Sequence, residues 1–102
     1  MSAYLIFHYN ITDRSRIDEL GPLTKPIVEK YKGKIVIADY IKQLEGTPYS
    51  HMVAYKFETQ QTALDFYNSK EHQEISKTRN EITNGTALLV PELGNKHDLQ
   101  MK

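Results

Sequence analysis

The sequence predicts an α+β domain, on three observations. Strand-like and helix-like stretches follow one another in the order β-α-β-β-α-β, read below residue by residue. The length of 102 residues suits one domain with a core of its own. The chain contains no Cys, so that core needs no disulfide staples.

Ala3 to Tyr9 is rich in aromatic and β-branched residues and stops at a polar run, as a strand does. Asp13 is placed to cap the helix that follows. Ile17, Leu20, Leu23, Ile27, Val28 and Tyr31 recur at helical spacing, but Gly21-Pro22 and Pro26 interrupt them, which predicts a bent or two-piece helix. Gly33 suits a left-handed cap at its end. Lys34 to Leu44 reads as a second, longer strand, and Glu45-Gly46-Thr47-Pro48 as a turn. His51 to Phe57 is the third strand. Thr59 then caps a helix carrying Ala63, Leu64, Phe66 and Tyr67. Asn68-Ser69 breaks it, and Ser69 caps another with Ile75, Arg79 and Ile82 on one side. Asn84-Gly85 reads as its end, and Thr86 to Val90 as the fourth strand. Residues 1–91 thus form one domain, followed by a polar tail over 92–102.

Two βαβ halves sharing one four-stranded antiparallel sheet, with the helices on one face, make the ferredoxin-like arrangement. A sheet covered on one face should alternate apolar and polar residues. These strands do not. Ile35, Val36, Ile37 and Ala38 are apolar on both faces, Leu5 and Phe7 oppose Tyr4 and Ile6, and Ala87 and Leu89 oppose Leu88 and Val90. The exposed apolar face is best covered by a second copy, sheet against sheet, as a homodimer.

Tyr4-Leu5-Ile6-Phe7 followed by Thr12-Asp13, the stretch Glu29 to Lys34, Leu44-Glu45-Gly46, and above all Ala63 to His72 continuing to Arg79 resemble the domain-of-unknown-function 1330 family. The resemblance spans residues 3 to 91. Departures are Lys32 for a usual Gly, Ile17 and Leu20 for usual tyrosines, His72 for a common Tyr, and His8 where an acid is frequent. The family is similar to the dimeric α+β barrel superfamily, which implies the same homodimer. Relatives of that fold include cofactor-free monooxygenases, isomerases, haem enzymes and proteins without known catalysis, so fold alone assigns no reaction.

Polar residues embedded in strands are the candidates for chemistry. His8 and His51 could act as general bases near neutral pH. Tyr4, Tyr55, Asp39 and Glu45 could contact a ligand, although Glu45 reads rather as a structural residue of its turn. Arg79, on an apolar helix side, could hold a carboxylate or phosphate, but the favoured reading is a stem lying over the apolar face with its head paired to an Asp or Glu. Tyr4, Ile6 and His8 share one strand face; His51, Val53, Tyr55 and Phe57 share one face of another. If both lines face one space, a Tyr and His cavity results. The expectation is a small-molecule binder, with a cofactor-independent enzyme acting on an aromatic or carbonyl compound, or a structural dimer, as alternatives.

Other classes lack a motif. Thirteen basic residues balance thirteen acidic ones, so no basic surplus points to nucleic acid. Mean hydropathy is -0.57 and no long apolar run predicts a membrane span. The four His residues, His97 among them, show no metal-ligand spacing, and no phosphate loop or nucleophile elbow occurs. No metal or cofactor is expected. Asn10-Ile11-Thr12 and Asn84-Gly85-Thr86 match glycosylation sequons but read as turns, and without a basic-then-apolar leader the expected location is cytoplasmic.

Overall fold

The computed structural model describes residues 2–46 and 49–92. Along the chain run β1 (Ala3–Ile11), a 3-10 turn (Ile17–Glu19), α1 (Leu20–Lys30), β2 (Lys34–Tyr40) and β3 (His51–Phe57). They are followed by α2 (Gln60–Asn68), α3 (Lys70–Ile82) and β4 (Thr83–Pro91). The strands form one antiparallel sheet in the order β2-β3-β1-β4. This is the ferredoxin-like α+β arrangement expected from the sequence.

Local chemistry explains most boundaries and corrects several. Thr59 Oγ1 accepts from the Thr62 amide at 3.0 Å, and Ser69 Oγ from the His72 amide at 3.1 Å. Both predicted caps are in place. Asp13 instead takes the Ser15 amide and hydroxyl, closing a turn, so the helix starts later, in 3-10 form. At the end of α1 the left-handed residue is Lys32 (φ 61), one position before Gly33. The Lys32 amide bonds Glu29 O and the Gly33 amide bonds Val28 O, the paired closure of a Schellman motif. Gly33 is needed for space: a Cβ there would lie 2.6 Å from Phe57 Cε1.

Three strands differ from their expected spans. β1 runs two residues past Tyr9, with Asn10 and Ile11 paired to Asn84 and Thr83 of β4 rather than turning. β2 stops at Tyr40 rather than Leu44, and Ile41 N–H closes a last bond to Ser50 O. Its register shifts between Ile35 and Ile37, a bulge that changes which side chains face the helices. α3 runs to Ile82 and β4 starts at once with Thr83, so Asn84-Gly85 lies inside a strand, not at a helix end. Gly85 permits a close approach of its paired strand β1, since a Cβ would be 2.2 Å from the His8 carbonyl oxygen. Thr47 and Pro48 of the expected turn, and tail residues 93–102 including His97, lie outside the described residues. Glu92, first of the expected tail, is tied to the sheet: it accepts from the Tyr4 hydroxyl at 2.8 Å and pairs with Lys56 at 3.2 Å.

The core lies between sheet and helices, where Leu5, Phe7, Tyr55 and Phe57 meet Val28, Ala63 and Phe66. The opposite face carries Tyr4, Ile6 and His8 of β1, Ile37 and Asp39 of β2, Met52 of β3, and Leu88 and Val90 of β4. Ile37 and Leu88 are 44% and 49% exposed there. The two-sided apolar pattern is therefore real in three dimensions.

Candidate functional site

α1 touches the sheet unevenly. Val28, near its C-terminal end, is buried in the core, whereas Leu23 is 46% exposed. Under the other end, a cleft of about 190 Å³ opens between Leu20, Gly21 and Thr24 of α1 and Phe7, Val53 and Tyr55 of the sheet. The sequence accounts for this gap. Gly21 offers no side chain to fill it, and no atom lies within 4 Å of where its Cβ would be. Pro26 leaves its turn one amide short, and the Thr24 hydroxyl donates to Leu20 O at 2.7 Å, binding that turn inward.

The polar end of the cleft is built by α3. His72, Ile75, Arg79 and Ile82 fall on one helix face; the isoleucines are buried, and His72 and Arg79 line the cleft. The Arg79 guanidinium lies 4.5 Å from the Phe7 ring centroid, a cation–π contact. Its Nη2 donates to Ser76 Oγ at 3.2 Å and its Nη1 to His72 Nε2 at 3.3 Å. Both acceptors are neutral. Among the described residues no carboxylate lies within ion-pair distance of Arg79, although five other cation–carboxylate contacts form. Burial pushes the guanidinium pKa below its ordinary value, since the cation has lost water without gaining an anion. A second cleft of about 190 Å³, toward Asn80, Gly85 and Thr86, also has Arg79 in its wall.

His72 is 1% exposed. Its Nδ1 lies 2.9 Å from Tyr67 O, an acceptor only, so Nδ1 carries the hydrogen and Nε2 the lone pair. Desolvation lowers its pKa, the Tyr67 carbonyl opposes this, and Arg79 lowers it further. The Tyr55 hydroxyl is pushed up to about 12, chiefly by burial, while a hydrogen bond with Thr24 pulls the other way. Tyr55 therefore remains a proton donor at neutral pH. Chemically the site is a single-ring-sized apolar slot that ends in a cation, a neutral imidazole and a phenol.

The expected site residues are divided by the sheet. Tyr55 and Arg79 line the cleft. His51 lies on the same sheet face but outside the cleft lining: buried, stacked 5.7 Å from Tyr9, tilted against Tyr40 at 4.1 Å, with Nδ1 2.6 Å from Ser50 Oγ. Its pKa is lowered by burial and by Arg14, against Asp39. Tyr4 and His8 are on the opposite face, because β1 and β3 pair with Tyr9 opposite His51 and His8 opposite Met52. The single Tyr and His cavity expected from both lines does not form. His8 packs edge-on against Tyr49 at 4.8 Å, and its Nε2 is buried with no hydrogen-bond partner among the described residues. Asp39 is exposed and accepts from the Tyr40 amide; Glu45 is exposed, its carbonyl receiving Gln43 Nε2. Neither reaches a cleft wall.

Sequence reasoning missed His72 and Thr24. The signal for His72 was present, since positions 72, 75, 79 and 82 form one stripe at helical spacing. Among the described residues no three His, Asp or Glu side chains gather closely enough to hold a metal ion. No helix of those residues is long and apolar enough to cross a membrane.

The model of the family described as Domain of unknown function (DUF1330) matches residues 2–93. The chain belongs to the DUF1330 family. This DUF1330 chain is also similar in fold to solved structures of low identity. A protein of unknown function from Rhodopseudomonas palustris superposes with TM-score 0.73 at 13% identity, covering 92% of this chain and 84% of that one. SnoaB, a cofactor-independent oxygenase from Streptomyces nogalater, gives 0.68 at 5% identity, covering 93% and 96%. A dabb family protein with a ferredoxin-like fold from Mesorhizobium loti gives 0.57 at 10%, covering 91% and 98%. Among curated proteins none matches. At such identities the likeness is one of fold.

Proposed function

We propose that this DUF1330 protein is a homodimeric binder of small organic acids, each subunit seating one ligand in the cleft between α1 and the sheet. The observation that carries the reading is Arg79: a partly buried cation at the end of an apolar slot, bonded to neutral acceptors and to no described carboxylate. An uncompensated charge in such a place is costly unless something else supplies the anion. A planar guanidinium takes a carboxylate in two parallel bonds. The slot size supports a single ring, since a cavity of about 150 Å³ is known to hold benzene and this one measures about 190 Å³.

The dimer rests on separate support, the exposed Ile37, Leu88 and Val90 on the sheet face away from the helices. A second sheet laid on that face would bury them and would leave both clefts free. The exposed Asp39 and Glu45 lie outside the lining of the ligand site.

Calorimetric titration tests the binding. Benzoate should bind at least tenfold more tightly than benzamide, which keeps the ring and loses the charge. Equal affinity for the two, or no binding of either, overturns the reading.

A further inference from the structure

We propose that the cleft is catalytic, with His72 as its general base: it moves the proton between carbon and oxygen of an enolisable 2-oxo acid whose carboxylate sits on Arg79. The inference rests on the carboxylate-binding reading and adds chemistry to it. It also moves the base away from His8 and His51, which the sheet separates.

Four features converge on His72 Nε2. The Tyr67 carbonyl holds the Nδ1 hydrogen at 2.9 Å and thereby fixes the tautomer that leaves Nε2 basic. The ring is gripped by Phe66 and Tyr67, with centroids at 4.7 and 5.1 Å, so its aim is set before any ligand arrives. His72 is the third residue of α3, where the positive end of the helix dipole disfavours an imidazolium and favours a nearby anion. Arg79 stands two turns along the same helix, its Nη1 3.3 Å from Nε2. A carboxylate gripped by that guanidinium therefore places the carbons one and two bonds beyond it beside the imidazole.

The contact between Nη1 and Nε2 is long for a hydrogen bond. A ligand that draws the guanidinium to itself frees the Nε2 lone pair and replaces the opposing positive charge with a neutralised pair. Tyr55, protonated at neutral pH, lies across the slot as a donor to the oxygen that gains charge.

The step balances without an added reagent. The C–H bond next to the carbonyl breaks and its proton goes to Nε2. The electron pair forms the C=C bond, and the carbonyl π pair moves onto oxygen. The imidazolium then delivers the proton to that oxygen, giving the enol and regenerating neutral His72. The reverse sequence restores the keto form. No oxidant, reductant or metal enters.

Phenylpyruvate in heavy water provides the test, read by proton NMR as loss of its methylene signal and compared with benzoate affinity. The wild-type protein should speed exchange at least tenfold over buffer. His72→Gln should bring exchange to the buffer rate while benzoate affinity stays within about threefold, which also shows that the variant folds. The pH profile of the wild type guards against a variant that does not fold. The groups that share the cleft with His72 are Arg79 on its own helix, Tyr55 on β3 and Tyr9 on β1, with Tyr67 of α2 against the ring. Burial lowers the His72 pKa from 6.5 and raises those of Tyr55 and Tyr9 from 10, so after subtraction of buffer the rate should rise with pH and level off, its midpoint below 6.5. Benzoate binding with exchange no faster than buffer, or with exchange unchanged in His72→Gln, overturns the catalytic inference alone. Absence of benzoate binding overturns the ligand reading beneath it.

Discussion

Replacing Arg79 by Met separates a functional cation from a structural one. Met keeps an apolar stem over Phe7 and removes the charge. The folded state loses a cation–π contact at 4.5 Å, on the order of 0.5–2 kcal/mol. It also leaves His72 Nε2 without its donor, about 1–3 kcal/mol for a buried acceptor, toward the low end because the bond is 3.3 Å long. Against these stands relief of a desolvated cation with no described carboxylate beside it. That penalty is several kcal/mol for a fully buried ion, and smaller here because Arg79 is only partly buried. The terms nearly offset, so Arg79→Met should change the urea-unfolding free energy by no more than about 1 kcal/mol. Benzoate affinity should meanwhile fall at least tenfold, since each bond to a charged group is worth about 1.5–3 kcal/mol. A variant that loses more than about 3 kcal/mol of stability yet binds benzoate as the wild type does would refute the reasoning. Arg79 would then be a packing residue.

Other expectations follow from the same structure. Gly85→Ala should cost at least about 2 kcal/mol, because its Cβ would press on the His8 carbonyl at 2.2 Å and both are backbone-fixed; Gly21→Ala meets open space and should be neutral or slightly stabilising by chemical denaturation. Both His72 and His51 have pKa values lowered from 6.5 in the folded state. The unfolded chain then binds more protons below about pH 6.5, so stability is full above that pH and falls as pH drops through the folded values; urea midpoints measured from pH 8 to 5 should show this, and His72→Gln should flatten part of the slope. Leu88→Glu should yield a species of 11.8 kDa in sedimentation while the wild type sediments at twice that mass, and a monomeric wild type at micromolar concentration would remove the dimer.

How far the sequence could be read depends on which force fixed each feature. The strands and caps were legible because Thr59 and Ser69 act on amides three residues away, well within local reach. Gly33 and Gly85 were misread because the reason for them is distant in the chain: Phe57 for one, the His8–Tyr9 backbone for the other. Asn84-Gly85 has turn chemistry, and only its pairing with Tyr9 and Asn10 of β1 shows it to be strand. For the site, Arg79 was legible as an Arg on an apolar stripe, and Tyr55 as a polar residue on a buried strand face. The proposed joining of His8 with His51 failed on register. Pairing Tyr9 with His51 puts even-numbered β1 residues and odd-numbered β3 residues on opposite sides, and neither strand alone records that. His72 could have been found by extending the stripe of Ile75, Arg79 and Ile82 back one turn.

The central claim is that Arg79 recognises a carboxylate inside the slot beneath α1. The most direct measurement is a heteronuclear NMR titration of the isotope-labelled wild-type protein with benzoate. The account predicts saturable shifts at the Arg79 Nε–H, at His72 and Tyr55 and at Gly21 across the mouth, with Ile6 and Leu88 on the far sheet face unmoved. Shifts confined to that far face, or a titration that never saturates at the guanidinium, would contradict it.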